Sequence, residues 1–254
     1  MEKHTVSASL TDNTKYMNRA LPVKKSFDII ERNLIIGGQN SAFYFIDGFT
    51  KDETMLKLMD SFLNISADDM PEDATSFSTS CIPYVEVDIL GDFDSIFKNL
   101  LSGVTCLFID GYEAAIAIDC RTYPSRSIEE PDKDKSLRGS RDGFVETIVF
   151  NTALMRRRIR DPHLIMEMYE AGTSTRTDVA LCYMSDRVDR ELLTTIQNKL
   201  EESKSQDLKM SQQSLAESLF QRKWYNPFPK YKFTERPDTA CACLMEGKVI
   251  ILTD

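Results

Sequence analysis

The sequence predicts an α/β (α+β) protein made of two small mixed-sheet subdomains joined by an acidic, Pro-containing linker. Three observations predict it. Short apolar runs that alternate like strands recur between stretches whose apolar residues fall at helical spacing. A polar stretch interrupts them, with Pro124, Pro131 and the acids Glu129, Glu130, Asp132 and Asp134. Two segments on either side of it, 100–110 and 244–254, share one pattern: a helix end, a glycine stop, a hydrophobic strand and an Asp. The expected organisation is a loose segment over 1–26, a first subdomain over 27–125, a linker over 126–142 and a second subdomain over 143–254. The second copy would stop before its last strand; chance similarity of two short apolar segments is the competing reading.

The elements follow in order. Leu34–Ile36 and Ala42–Ile46 flank Gly37-Gly38 and read as a hairpin. Thr50 and Glu53 form a capping box for a helix that buries Met55, Leu58, Met59 and Phe62. Residues 68–80 are polar and read as loop, and Tyr84–Asp88 alternates as a strand. Asp92 caps a helix burying Ile96, Phe97, Leu100 and Leu101, and Gly103 ends it. Val104–Ile109 is apolar on both faces and reads as a central strand; Asp110-Gly111 turns it into Tyr112–Asp119. Beyond the linker, Asp142 caps a helix over 143–160. Strands follow at Leu164–Tyr169 and Thr177–Tyr183, joined around Gly172. Asp186 caps a helix with Val188, Leu192, Leu193, Ile196 and Leu200 on one face. Ser211 caps a shorter helix, stapled by Met210 on Leu215. Asn226–Pro229 is an extended connector, Pro237–Met245 a helix stopped at Gly247, and Lys248–Thr253 a buried strand.

Composition narrows the function. The formal charge is −9, from 31 basic and 40 acidic residues, which argues against nucleic acid as a partner. The six Cys lie mostly inside apolar runs and read as buried, reduced thiols. No secretory signal opens the chain, and no run of about 18 apolar residues is present to span a bilayer. There are only two His and no nucleophile elbow, metalloprotease or P-loop motif, so no catalytic residue is assigned. Asp92 and Asp94 could hold a divalent ion, but a helix cap with a second acid in its first turn explains them. Cys241 and Cys243 point to different sides of a helix and are poor joint metal ligands. No cofactor is expected.

Two arginine groups stand out. Arg138 and Arg141 flank a Gly-Ser turn; they clamp a carboxylate or phosphate, or they pair with the linker acids and fix how the subdomains dock. With Asp142 and Glu146 they are the candidate hinge. Arg156, Arg157, Arg158 and Arg160 exceed what a helix dipole asks for; a neighbouring subunit or an anionic membrane surface is the candidate partner, beside a solvated basic helix end.

Residues 137–146 (Leu-Arg-Gly-Ser-Arg-Asp-Gly-Phe-Val-Glu), 151–160, Thr177–Val179 and 226–238 resemble the A subunit of GerA-type germinant receptors, a pattern shared by the related SpoVAF-like spore proteins. Arg-Gly-Ser-Arg-Asp in place of Arg-Gly-Pro-Arg-Glu leans toward the SpoVAF-like branch. The resemblance covers about residue 27 to the end. It implies a non-enzymatic soluble region facing the spore core at the inner membrane, ahead of a multi-helix, ion-conducting membrane domain. It also implies homo-oligomers and other germination-protein subunits as partners. On that expectation the chain is a fragment, acting in subunit assembly and signal coupling; the alternative is a binding module for a small anionic ligand held between the subdomains.

Overall fold

The computed structural model describes residues 4–50, 52–123, 142–204, 215–216, 219 and 231–253. The chain divides into two compact units, Met1–Pro124 with Arg160–Pro162, and Ser125–Ile159 with His163–Asp254. The class is α+β, and every strand pairing among the described residues is antiparallel, so neither sheet is mixed there.

The first unit begins with helix α1 (Leu10–Ala20), where the sequence led us to expect loose chain. The Ser9 side chain accepts from the Asp12 N–H, Asp110 Oδ1 accepts from the Leu10 N–H at 2.9 Å, and Met17 is fully buried. Strands β1 (Ile29–Ile36) and β2 (Gln39–Ile46) form a hairpin whose two turn residues, Gly37 and Gly38, both have positive φ (53° and 79°), as a type I′ turn needs. Helix α2 (Asp52–Leu63) follows. A one-turn 3₁₀ helix (Ala67–Asp69) and helix α3 (Ala74–Ser80) occupy the stretch expected as loop. Asp73 caps α3 by accepting from the Ser76 N–H, and Phe77 anchors it in the core. Strand β3 (Val87–Leu90) precedes helix α4 (Phe93–Leu101), which Asp92 caps as expected. Strands β4 (Thr105–Ile109) and β5 (Ala115–Ile118) complete a sheet of order β1-β2-β4-β5-β3. β4 is central and buried throughout. Residues 110–114 form a longer connection than a two-residue turn. Helices cover both faces: α1 and α4 on one, α2 and α3 on the other, where Phe43, Phe62, Phe77, Leu107 and Ile116 meet.

The second unit starts with helix α5 (Ile148–Arg158), not at 143. Asp142 does not cap it. Residues 142–147 stay extended or turn, because Asn151 holds Val145 from inside the helix. Strands β6 (Leu164–Ala171) and β7 (Thr177–Met184) form a hairpin. Helix α6 (Arg190–Ser203) is capped by Asp189, which accepts from Glu191 and Leu192 N–H, and not by Asp186. The chain first turns over after β7, with the Val188 N–H on the Met184 carbonyl. Helix α7 (Pro237–Met245) and strand β8 (Ile250–Thr253) complete a sheet of order β6-β7-β8. The expected helix capped by Ser211 and the connector 226–229 lie outside the described residues.

The described elements of the second unit, a helix, a hairpin, a covering helix, a further helix and a strand returning on the hairpin's second member, each have a counterpart in the first unit, which adds α3, β3 and β5. The agreement is atomic. Asn13 accepts from the Ser7 N–H at 3.0 Å and donates to its carbonyl at 2.6 Å; Asn151 does the same to Val145 at 2.8 and 2.6 Å. The Val6 N–H donates to Gly91 as Phe144 does to Glu235. At the ends of α4 and α7, Gly103 and Gly247 have positive φ (96° and 85°), and the next residue's N–H reaches back to Asn99 or Cys243 at 3.0 Å in both. Ser41 to Tyr44 pair with Ile109 to Cys106 in the register in which Val179 to Cys182 pair with Thr253 to Ile250. The segments 100–109 and 244–253 thus hold matching places in the two units.

Candidate functional site

The arginines of α5 diverge. Three consecutive helical residues step by about 100° each and cannot share one face. Arg156 falls on the side of Ile148, Thr152 and Met155, is fully buried, and its Nη2 donates to the Leu164 carbonyl at 3.0 Å. It therefore offers nothing to a subunit or a membrane, which corrects its assignment as a contact residue. Its charge serves the end of β6. Arg158 closes on Asp142, donating from Nη2 to both carboxylate oxygens at 2.6 and 2.5 Å, with about a quarter to a third of each side chain exposed. Asp142 thus anchors the approach to α5 from outside the helix. Arg157 and Arg160 are exposed. Arg160 Nη1 donates to Ser102 Oγ at 3.2 Å within the first unit. Glu146 is exposed just before α5, and Arg138 and Arg141 lie outside the described residues.

The Arg158–Asp142 pair is a geometric test of α5 anchoring. Removing either partner should lower the stability of the second unit by about 1 kcal/mol, with most of that loss shared in a double-mutant cycle. Independent losses from Asp142→Asn and Arg158→Met would show that the contact carries no energy.

Sequence reasoning missed a second cluster. The carbonyl of Ser102, in the last turn of α4, accepts from Arg121 Nη1 (3.2 Å) and Tyr123 Oη (3.0 Å), while its hydroxyl takes Arg160. Arg121 is itself held by Asp119, which accepts from Nε at 2.6 Å and from Nη2. Two cations and a phenol thus gather where the helix dipole is negative, at the points where the chain leaves the first unit and touches it again. No motif marks this cluster, because Ser102 and Arg160 lie far in sequence from Asp119, Arg121 and Tyr123.

A third polar group lies under α6. Glu167 accepts from Tyr183 Oη (2.7 Å), Tyr169 Oη (2.8 Å) and Gln197 Nε2 (2.7 Å). Burial first, then the Glu167 carboxylate, pushes both phenols above their usual range, so they stay protonated donors. Among the described residues no group of His, Cys, Asp and Glu is placed to hold a metal ion. Cys106 and Cys241 are buried thiols, pushed up to about 12 and about 11. A cavity of about 430 Å³ opens beside Gly37, Gly38, Gln39, Glu72 and Asp110, but Asp110 already serves Leu10, and Tyr112 Oη donates to the Pro71 carbonyl at its rim. No helix among the described residues is long and apolar enough to cross a membrane.

The geometry therefore presents anchored arginines and buried networks, and known proteins give them context. Stage V sporulation protein AF of Bacillus subtilis (strain 168) is 33% identical over 254 residues, covering 100% of this chain and 51% of that protein. Spore germination protein KA of the same organism is 29% identical over 253 residues, covering 98% of this chain and 46% of that protein. The chain thus spans about half the length of the curated relatives it matches. The crystal structure of the N-terminal domain of the A subunit of the Bacillus megaterium spore germinant receptor GerK3 has the same fold, with TM-score 0.71 and 22% identity, covering 100% of this chain and 94% of that one. The model of the Bacillus/Clostridium GerA spore germination protein matches residues 15–254, and the chain belongs to that family.

Proposed function

We propose that this chain is the part of a spore germination membrane protein that assembles subunits and couples a signal to an ion-conducting membrane domain. It performs no chemistry of its own. Its partners are further copies of itself and other germination-protein subunits, and it works on the core side of the spore inner membrane. The family match over 15–254 supports the class of protein. The observation that carries the assembly role is the position of Arg157, which is exposed in the last turn of α5. A surface guanidinium at a helix end suits an acidic patch on a neighbouring subunit.

Arg157→Glu should weaken association of the full-length protein about tenfold while the fold stays intact, read by gel filtration in detergent alongside hydrogen exchange. An unchanged elution volume with an unchanged exchange pattern would remove Arg157 from the interface. Arg158 does not suit this test, since its reversal would also break the contact with Asp142. The alternative, an anionic-ligand module, rests on Arg138 and Arg141, and no described residue adds to it.

A further inference from the structure

Among the described residues the second sheet has three strands against five in the first, and it shows no counterpart of β5 or of β3. In the first unit β4 pairs on both sides, with β2 and with β5. Its counterpart β8 pairs with β7 alone among the described residues. Burial follows the difference. Cys106, Leu107, Phe108 and Ile109 are each 1% exposed or less. The matching Ile250, Ile251 and Thr253 are only half-buried, and Leu252 is 7% exposed.

The composition of the edges points the same way. A free edge offers unpaired N–H and C=O groups, and proteins guard such edges with charged side chains. β1 carries Glu31 and Arg32, β3 carries Asp88, and β6 carries Glu167 and Glu170. β8 is Ile-Ile-Leu-Thr, with no charge and no proline. It has the make-up of an interior strand, like the Thr-Cys-Leu-Phe-Ile of β4.

We propose that the outer edge of β8 takes up one more antiparallel strand, supplied by the polypeptide that follows Asp254. In sequence, Asp254 follows β8 as Asp110 follows β4. In the first unit a connection over 110–114 then delivers β5, Ala-Ile-Ala-Ile, fully buried. The arriving strand is therefore a short apolar one, joined by a turn of about the same length, with small or β-branched residues fitting the half-exposed Ile250 and Ile251. The chain covers about half of the curated relative's length, and the similar crystallised domain is named as the N-terminal domain of its subunit, so further polypeptide lies outside the matching region in those proteins.

The test compares hydrogen exchange at the amides of 250–253 in the 254-residue chain, in a chain carrying about 15 further residues of its own reading frame, and in a chain with residues 111–118 copied after Asp254. The proposal expects exchange at least about tenfold slower in both extended chains, reversed by a proline in the middle of the added strand. Equal exchange in all three chains would overturn it, and so would a reading frame that stops at residue 254. Protection that rises with concentration in the unextended chain, together with a dimer in sedimentation, would assign the edge to a second copy and would overturn it as well.

Discussion

Gly247→Ala should cost the second unit about 3 kcal/mol, the largest loss expected from adding one methyl group to this chain. Two effects combine there. The residue has φ +85°, which an L side chain tolerates only at about 1–2 kcal/mol. The added Cβ would also lie 2.6 Å from the Arg187 carbonyl oxygen, a backbone atom in the turn after β7. That turn is pinned by the Arg187 N–H on Met184, so it cannot swing aside. Gly103→Ala should behave similarly, because its Cβ would meet Phe49 at 2.6 Å, and that ring is fully buried against Tyr123. The other glycines grade the prediction. Gly111 has φ +90° but open space around it, so Gly111→Ala should lose only the conformational part, about 1 kcal/mol. Gly91 has neither a positive φ nor a neighbour within 4 Å, and Gly91→Ala should be near neutral. Stability should be read unit by unit, from exchange of buried amides in urea, since two compact units need not unfold together. If Gly247→Ala matched Gly111→Ala, the close approach to Arg187 would carry no energy.

The second large effect is expected at the asparagines. Asn151→Ala removes a donor and an acceptor at once and leaves both backbone groups of Val145 without the side chain that satisfies them. Asn151 is 3% exposed, so water reaches the gap poorly; about 2–3 kcal/mol should be lost. Asn13→Ala should lose a similar amount in the first unit through Ser7. Asp at either position keeps an acceptor for the N–H but sets a carboxylate against the carbonyl, and it should not rescue. Urea titrations of the four variants, followed at each unit's buried amides, check this. Full stability in Asn13→Ala alone would mean that only one copy still uses the clamp.

Much of the sheet framework is legible in the sequence, because alternation and apolar runs report burial directly. β4 and β8, and the glycine stops before them, stand out for that reason. α1 does not: one of its two buried positions is Asn13, so the apolar stripe is broken where the clamp sits. The start of α5 is misplaced for the same cause, since Asp142 looks like a cap while Asn151 holds the preceding chain extended. Asp186 and Asp189 are equally good caps by type, and only the turn after β7 chooses between them. Arg156 reads as one of a basic run, yet its helical phase with Ile148, Thr152 and Met155 already turns it inward. The repeat shows as only a short echo because matched core positions differ in kind, as Phe43 against Leu181 or Tyr44 against Cys182, while register and hydrogen bonding persist. The Ser102 cluster joins residues 119–123 to residues 102 and 160, and that long-range joining leaves no local signal.

Each copy carries its own clamp, helix stop and strand register, so each holds its own folding instructions. Injury to one is then not shared evenly. A cell making a variant hit in one copy would accumulate molecules sound in one unit and open in the other, and its proteases would meet the open unit first.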